Sequence, residues 1–358
     1  MPNTFLKAAA GLLLVATAAG ADLAARAEAA GPSGMVDTVA AGALRDAWWR
    51  GYLAAPRVAL PDGRRLTLFC QGKGTPVVML DIGLGGGAWG WSTVQGEMAK
   101  RTRVCSYDRA GYSNSDPAKA PRTFDALEAD LAALLTAAKL PGPYVMVGQS
   151  LGGPIVGLFA HRHPQQVAGL VLVDPSTGNQ TARLTAVAPD GDQTVARIAA
   201  ATKCARAADA GTLLPGSELE KACVAPDRPG FEPPAFVAET YRKWQRGSIL
   251  RAKLAETAGV DFSTLQWPSG LPTRAPVIVL TSSDWLDGSP QDRALFAVWN
   301  TMHDEIAASS PDGVNCVVPR STHSMMSSRP DVVVAAVSAM VDAVRAGRAI
   351  GSGCGFAG

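Results

Sequence analysis

The sequence predicts an α/β fold, a mostly parallel sheet covered by helices on both faces, with a helical segment inserted late in the chain. Three observations carry this. Short β-prone runs, most of them apolar throughout, recur at residues 77–80, 102–107, 144–147, 169–173, 276–281 and 313–318, as expected of strands buried on both faces. Stretches of helical length separate them, which implies crossover connections. With 358 residues, 47% hydrophobic and 18% charged, the chain is large enough for one such core plus an insertion.

Taken in order, residues 1–29 read as a secretory signal peptide. Lys7 precedes an apolar run, 8–19, too short to span a bilayer as a mature helix, and Ala25-Arg26-Ala27 and Ala27-Glu28-Ala29 both fit a small-x-small cleavage site. Residues 30–56 are an N-terminal arm. A hairpin at 57–70 turns at Pro61-Asp62-Gly63. Strand 77–80 runs into Gly83-Leu84-Gly85-Gly86-Gly87, and strand 102–107 into Asp108-Arg109-Ala110-Gly111. Helix 124–140 stops at Pro141-Gly142-Pro143. Strand 144–147 leads through a sharp turn to an apolar helix at 153–160, and strand 169–173 closes on Asp174-Pro175. Residues 57–175 are thus the first part of the core. Residues 176–270 hold no convincing buried strand but several helical stretches, the pattern of a cap over the carboxyl edge of the sheet. Residues 271–350 complete the core and end in a helix at 331–346; 351–358 are a tail.

All six cysteines follow the expected signal, and their spacing matches no zinc pattern. In an oxidising compartment they allow three disulfides, with Cys204–Cys223, Cys70–Cys105 and Cys316–Cys354 the expected pairs. The net charge of +2 is scattered, which suggests neither a nucleic-acid surface nor an anionic-membrane surface. No later run approaches 18 apolar residues, so stable membrane insertion after signal removal is not expected. The reading is a secreted or periplasmic protein.

The chemistry is concentrated at Gly148-Gln149-Ser150-Leu151-Gly152. A serine on a strand-to-helix turn has a strained backbone and an exposed hydroxyl, with a helix N-terminus aimed at any oxyanion that forms. Such a serine needs a base, and the base needs an orienting group. His161 and His163 lie on the helix after Ser150, the nearer roughly 16 Å along its axis and out of reach. His303, in a helical stretch, reads as a surface or packing residue. His323, just past the last strand, is the expected base. Among acids past strand ends, Asp284 is preferred to Asp174, whose following proline suggests a carboxylate capping backbone amides; Asp287 is third. Leu151 and Leu84 are the expected oxyanion donors. The glycine run lacks the Lys-Ser/Thr of a phosphate loop, and no cofactor or metal is implied.

These residues resemble the α/β-hydrolase superfamily, esterase-like and with an inserted cap. The resemblance rests on the order Ser150, Asp284, His323, the Gly-rich turn after the strand at 77–80, Tyr107-Asp108-Arg109-Ala110-Gly111-Tyr112-Ser113, Val147-Gly148-Gln149-Ser150-Leu151-Gly152-Gly153, Leu170-Val171-Leu172-Val173-Asp174-Pro175, and Ser321-Thr322-His323 before Arg329-Pro330. It implies an α/β-hydrolase fold and a serine nucleophile. Serine at the elbow argues against the family's haloalkane dehalogenase and epoxide hydrolase branches, which use aspartate there. Ile82-Gly83 stands where the family usually has His-Gly, and Gln149 where His is frequent. The leading expectation is hydrolysis of a small-molecule carboxylic ester, with Trp89, Trp285 and Met325 either facing an apolar acyl or aryl group or, equally well, serving ordinary packing. An amidase or peptidase of the same fold, iminopeptidase-like relatives included, would need a carboxylate or a cation in the cap; Glu218, Glu220, Glu239 and Glu256 are available, and nothing singles any one out. A non-catalytic binding protein is the remaining reading, disfavoured because no catalytic group is missing.

Overall fold

Alternation of apolar side chains along five central strands builds the core. In β3 (Val77–Asp81), Val77 and Met79 point to one face and Val78 and Leu80 to the other, and all four are fully buried. The same split runs through β5 (Tyr144–Gln149), where Tyr144 and Met146 face opposite to Val145 and Val147. A strand buried on both faces has nowhere to put polar residues, so these runs are apolar throughout.

The computed structural model describes residues 38–119, 121–189, 194–214, 216–223, 247–268, 273–286, 288–351 and 353–355. It divides into Met1–Leu44 and Arg45–Gly358; the sheet and the site belong to the second. The expected signal peptide lies outside the described residues, as do Asp287, Glu239 and the end of the tail. Part of the expected arm is helix α1 (Thr38–Leu53), in which Trp48, Trp49 and Tyr52 are buried.

Eight strands form one sheet in the order β1-β2-β4-β3-β5-β6-β7-β8. β1 (Arg57–Ala59) and β2 (Arg65–Gln71) form the expected hairpin, and β2 runs antiparallel to β4 (Val104–Tyr107). From β4 onward, through β3, β5, β6 (Val167–Val173), β7 (Val277–Ser282) and β8 (Gly313–Val318), every pairing is parallel. All six parallel strands therefore end at one edge. α2 is Gln95–Met98. α3 (Phe124–Ala137) and α4 (Gly152–Arg162) pack on one face. The C-terminal helix, Pro330–Ala346, packs on the other.

Between β6 and β7 the described chain is helical: α5 (Gln180–Thr185), α6 (Thr194–Asp209), α7 (Glu218–Cys223) and α8 (Ser248–Gly259). α6, α7 and α8 share a small apolar cluster around Cys204, Cys223, Ile249 and Leu250. α9 (Pro290–Ala308) follows β7, and α10 (Met325–Ser328) and α11 (Pro330–Ala346) follow β8. The three expected disulfides are all formed. Cys70 and Cys105 sit directly opposite one another on β2 and β4. No described helix is long and apolar enough to cross a membrane.

Candidate active site

Ser150 stands where β5 gives way to α4, with φ of 51°. That left-handed conformation is costly for a residue with a Cβ. It is held on both sides: the Ser150 amide donates to Val173 O at 3.2 Å, and the Ser150 carbonyl accepts from Ser176 N at 3.0 Å. Gly152 is required by crowding, since a Cβ there would lie 2.4 Å from the Asp81 carbonyl oxygen. A Cβ on Gly83 would lie 3.0 Å from Ser150 Cβ and 3.4 Å from its Oγ, which places the Gly-rich loop directly against the serine. Among the described residues the Ser150 hydroxyl makes no hydrogen bond, and such contacts often tighten only when substrate is bound.

His323 lies in the loop after β8, its side chain about half exposed (48%). Its Nδ1 is 2.6 Å from Asp174 Oδ2. Here the structure corrects the sequence expectation. Asp284 does not meet the imidazole; its Oδ2 accepts the backbone N–H of His323 at 2.6 Å and so holds the loop rather than the ring. The reason is strand order. β6 lies next to β5, so a carboxylate at the tip of β6 stands one strand from Ser150, whereas Asp284 follows β7, two strands away.

Asp174 is built for an ionised carboxylate. It too is left-handed, with φ of 45°, and is only 2% exposed. Oδ1 accepts from Trp299 Nε1 at 2.9 Å and Ser282 N at 2.9 Å, while Oδ2 accepts from Ser282 Oγ at 3.0 Å besides facing His323. Both oxygens are thereby saturated. Burial pushes this carboxyl upward, but the bond and charge of His323, the nearby His303 and the Ser282 amide outweigh it and hold the group at about 2. His323 responds in the opposite sense. Burial would lower it, yet Asp174 and the charge on Asp284 raise it above the ordinary histidine value. His303 is no surface residue: it is fully buried, with Nδ1 2.6 Å from Thr281 Oγ1 and Nε2 2.9 Å from Pro175 O.

Gln149 joins the three loops. Its Oε1 accepts from Gly83 N at 3.0 Å and its Nε2 donates to His323 O at 3.1 Å. The Gly83 amide is thus occupied, while the Leu84 and Leu151 amides donate to nothing among the described residues. Arg109, only 1% exposed, completes this side. It donates to Ile82 O at 2.5 Å and Gly83 O at 2.8 Å, and its charge is met by Asp81 at 2.8 Å and by both oxygens of Glu256 at 2.7 and 3.0 Å. In a trans peptide the C=O and N–H point in opposite directions. Drawing the Gly83 carbonyl toward Arg109 therefore turns the Leu84 N–H away from it.

Sequence reasoning missed Gln149 and Arg109. A polar residue inside an apolar strand end, and an arginine directly after a strand's aspartate, were the available signals. The three apolar residues divide between the pocket and the packing readings. Trp89 lines a small cavity with Ile82, Gly83, Leu84, Gln149 and Met326. Met325 is buried in the core, and Trp285 packs edge-on against Trp299. Of the glutamates between β6 and β7, Glu256 is spent on Arg109 and Tyr112, Glu218 pairs with Lys221, and Glu220 accepts the Gly216 amide.

Comparison with known proteins agrees with this fold. The sequence model of the Alpha/beta hydrolase family matches residues 83–336, more than half of the chain. The chain belongs to the α/β-hydrolase family. It is 31% identical over 109 residues to the uncharacterized protein YqjL of Bacillus subtilis, covering 30% of this chain and 43% of that one. It is 35% identical over 120 residues to a 2-hydroxymuconate semialdehyde hydrolase of Pseudomonas sp. strain CF600, covering 33% and 42%. The match thus spans less than half of either relative. A thermophilic esterase from Thermogutta terrifontis superposes with a TM-score of 0.53 at 19% identity, over 81% of this chain and 98% of that one. At that identity the likeness concerns the fold.

Proposed function

We propose that this α/β hydrolase is an exported serine esterase that forms an acyl-enzyme on Ser150. His323 Nε2 takes the hydroxyl proton as Oγ bonds to the ester carbonyl carbon. The Leu84 and Leu151 amides hold the oxyanion, and His323 returns the proton to the departing alkoxide. Water then attacks the acyl-enzyme by the same route and restores Ser150. Asp174 fixes the tautomer and stabilises the imidazolium. The observation that carries this reading is the 2.6 Å contact between His323 Nδ1 and the saturated, ionised Asp174 carboxylate, beside a serine held at positive φ.

The three disulfides favour an oxidising compartment and fit a signal peptide over residues 1–29. The segment 176–270 serves as a cap between the core parts 57–175 and 271–350, and the substrate is a small-molecule ester. A fluorophosphonate should label the wild type at Ser150, and the label should be lost in Ser150→Ala. Folded protein that neither takes the label nor releases nitrophenol from aryl esters overturns the reading.

A further inference from the structure

Helix α8 presents an unspent cation to the Gly-rich loop. The helix is fixed at two points one turn apart. Ala252 is buried beneath Gly111, where an added Cβ would approach Ala252 Cβ to 2.7 Å, and Glu256 is gripped by Arg109 and Tyr112. Lys253 lies on the turn between them, half-buried. Its stem crosses the loop, with Cδ and Cε 3.5 Å from the position of a Cβ on Gly85. Among the described residues no carboxylate meets its ammonium, whereas Arg64, Arg109, Arg122 and Arg251 each have one. Burial holds the Lys253 amine below the usual lysine range, and no anion among the described residues offsets that burial. A partly desolvated cation without a counter-ion is unfavourable unless a ligand supplies the charge. Gly85 directly follows Leu84, and their Cα atoms are about 3.8 Å apart. A carbonyl held by the Leu84 amide and an anion held by Lys253 would therefore be separated by a short aliphatic chain.

We infer that Lys253 is an anion-binding residue of the substrate site, and that the preferred substrates are esters bearing a free carboxylate a few carbons from the scissile carbonyl, such as half-esters of short dicarboxylic acids. This rests on the ester-hydrolase reading of the same site. The test follows hydrolysis, by proton release at constant pH, of monomethyl succinate, glutarate and adipate against neutral methyl esters of matching chain length. The expected result is a charged-over-neutral ratio of kcat/KM that falls at least tenfold in Lys253→Met for at least one acid. The loss should lie mainly in KM and be largely restored in Lys253→Arg. A ratio that stays within twofold for all three acids, in a variant that melts like the wild type, overturns the inference while leaving the esterase reading intact. A wild type that hydrolyses neither series and resists labelling at Ser150 overturns both.

Discussion

Two buried polar clusters flank Ser150, and they use charge differently. On one side Asp174 gathers four hydrogen-bond donors, one of which is a half-exposed imidazole. On the other, Arg109 is wholly enclosed by Asp81, Glu256 and the carbonyls of Ile82 and Gly83. The first cluster fixes a ring that gains and loses a proton in the proposed mechanism, and there one partner stays in reach of solvent. The second fixes backbone that must not move, so it is sealed. A buried ion pair seldom adds net stability over an apolar replacement. Its use here is to orient two peptide planes.

The sharpest way to break this comparison is to exchange the two acids near His323. Asp174→Asn should lower kcat/KM by about 10⁴-fold, the scale seen when a triad carboxylate in other serine hydrolases is neutralised. Asp284→Asn, which disturbs a backbone contact and removes a lesser charge near the ring, should cost about tenfold or less. Equal losses in steady-state assays would reverse the assignment.

The sealed side comes next. Glu256→Gln leaves Arg109 short of a buried partner and should lower the melting temperature, by a destabilisation on the order of 3 kcal/mol. It should also lower kcat by roughly 10²-fold if the Leu84 amide loses its aim. A thionoester separates the two effects, because sulfur accepts hydrogen bonds poorly. Wild type should favour the oxygen ester strongly, and the variant should lose that preference. An unchanged preference would leave Arg109 with a purely structural role.

A smaller effect is expected from pH. The proposed mechanism needs neutral His323, whose pKa is raised, so kcat/KM should rise with pH through a midpoint above 6.5. Asp174→Asn should move that midpoint down. Asp174 itself is depressed from 3.8 to about 2. Its contribution to stability is therefore complete above pH 3.8 and lost as pH falls toward 2, an amount of about 2 kcal/mol by linkage. Acid unfolding that is identical in wild type and Asp174→Asn would contradict this.

The least effect on chemistry should come from Cys204→Ser with Cys223→Ser. Opening this crosslink should cost the helical segment roughly 3 kcal/mol. Hydrogen exchange should show it in α6 and α7, with the sheet unaffected.

Much of this was legible in the residues. Buried parallel strands show themselves because both faces must be apolar, and all six parallel strands fall where the runs predict. Ser150 and His323 stood out as candidates because turns and strand ends place few residues of the right type. The partner of the imidazole was expected at Asp284 rather than Asp174 because Asp174-Pro175 reads equally well as a turn cap. Nothing local in the sequence says that β6, rather than β7, neighbours β5. Gln149 and Arg109 were hidden for a related reason, since each acts through backbone of a distant loop.

The left-handed backbone at Ser150 has one more consequence. An inactive protein with glycine at this position escapes the penalty of carrying a Cβ at φ of 51°, so Ser150→Gly should unfold at a higher temperature than its active parent, by the equivalent of about 1 kcal/mol. Selecting this chain for durability alone would then tend to discard the proposed nucleophile, and any search for sturdier variants has to demand turnover at every round.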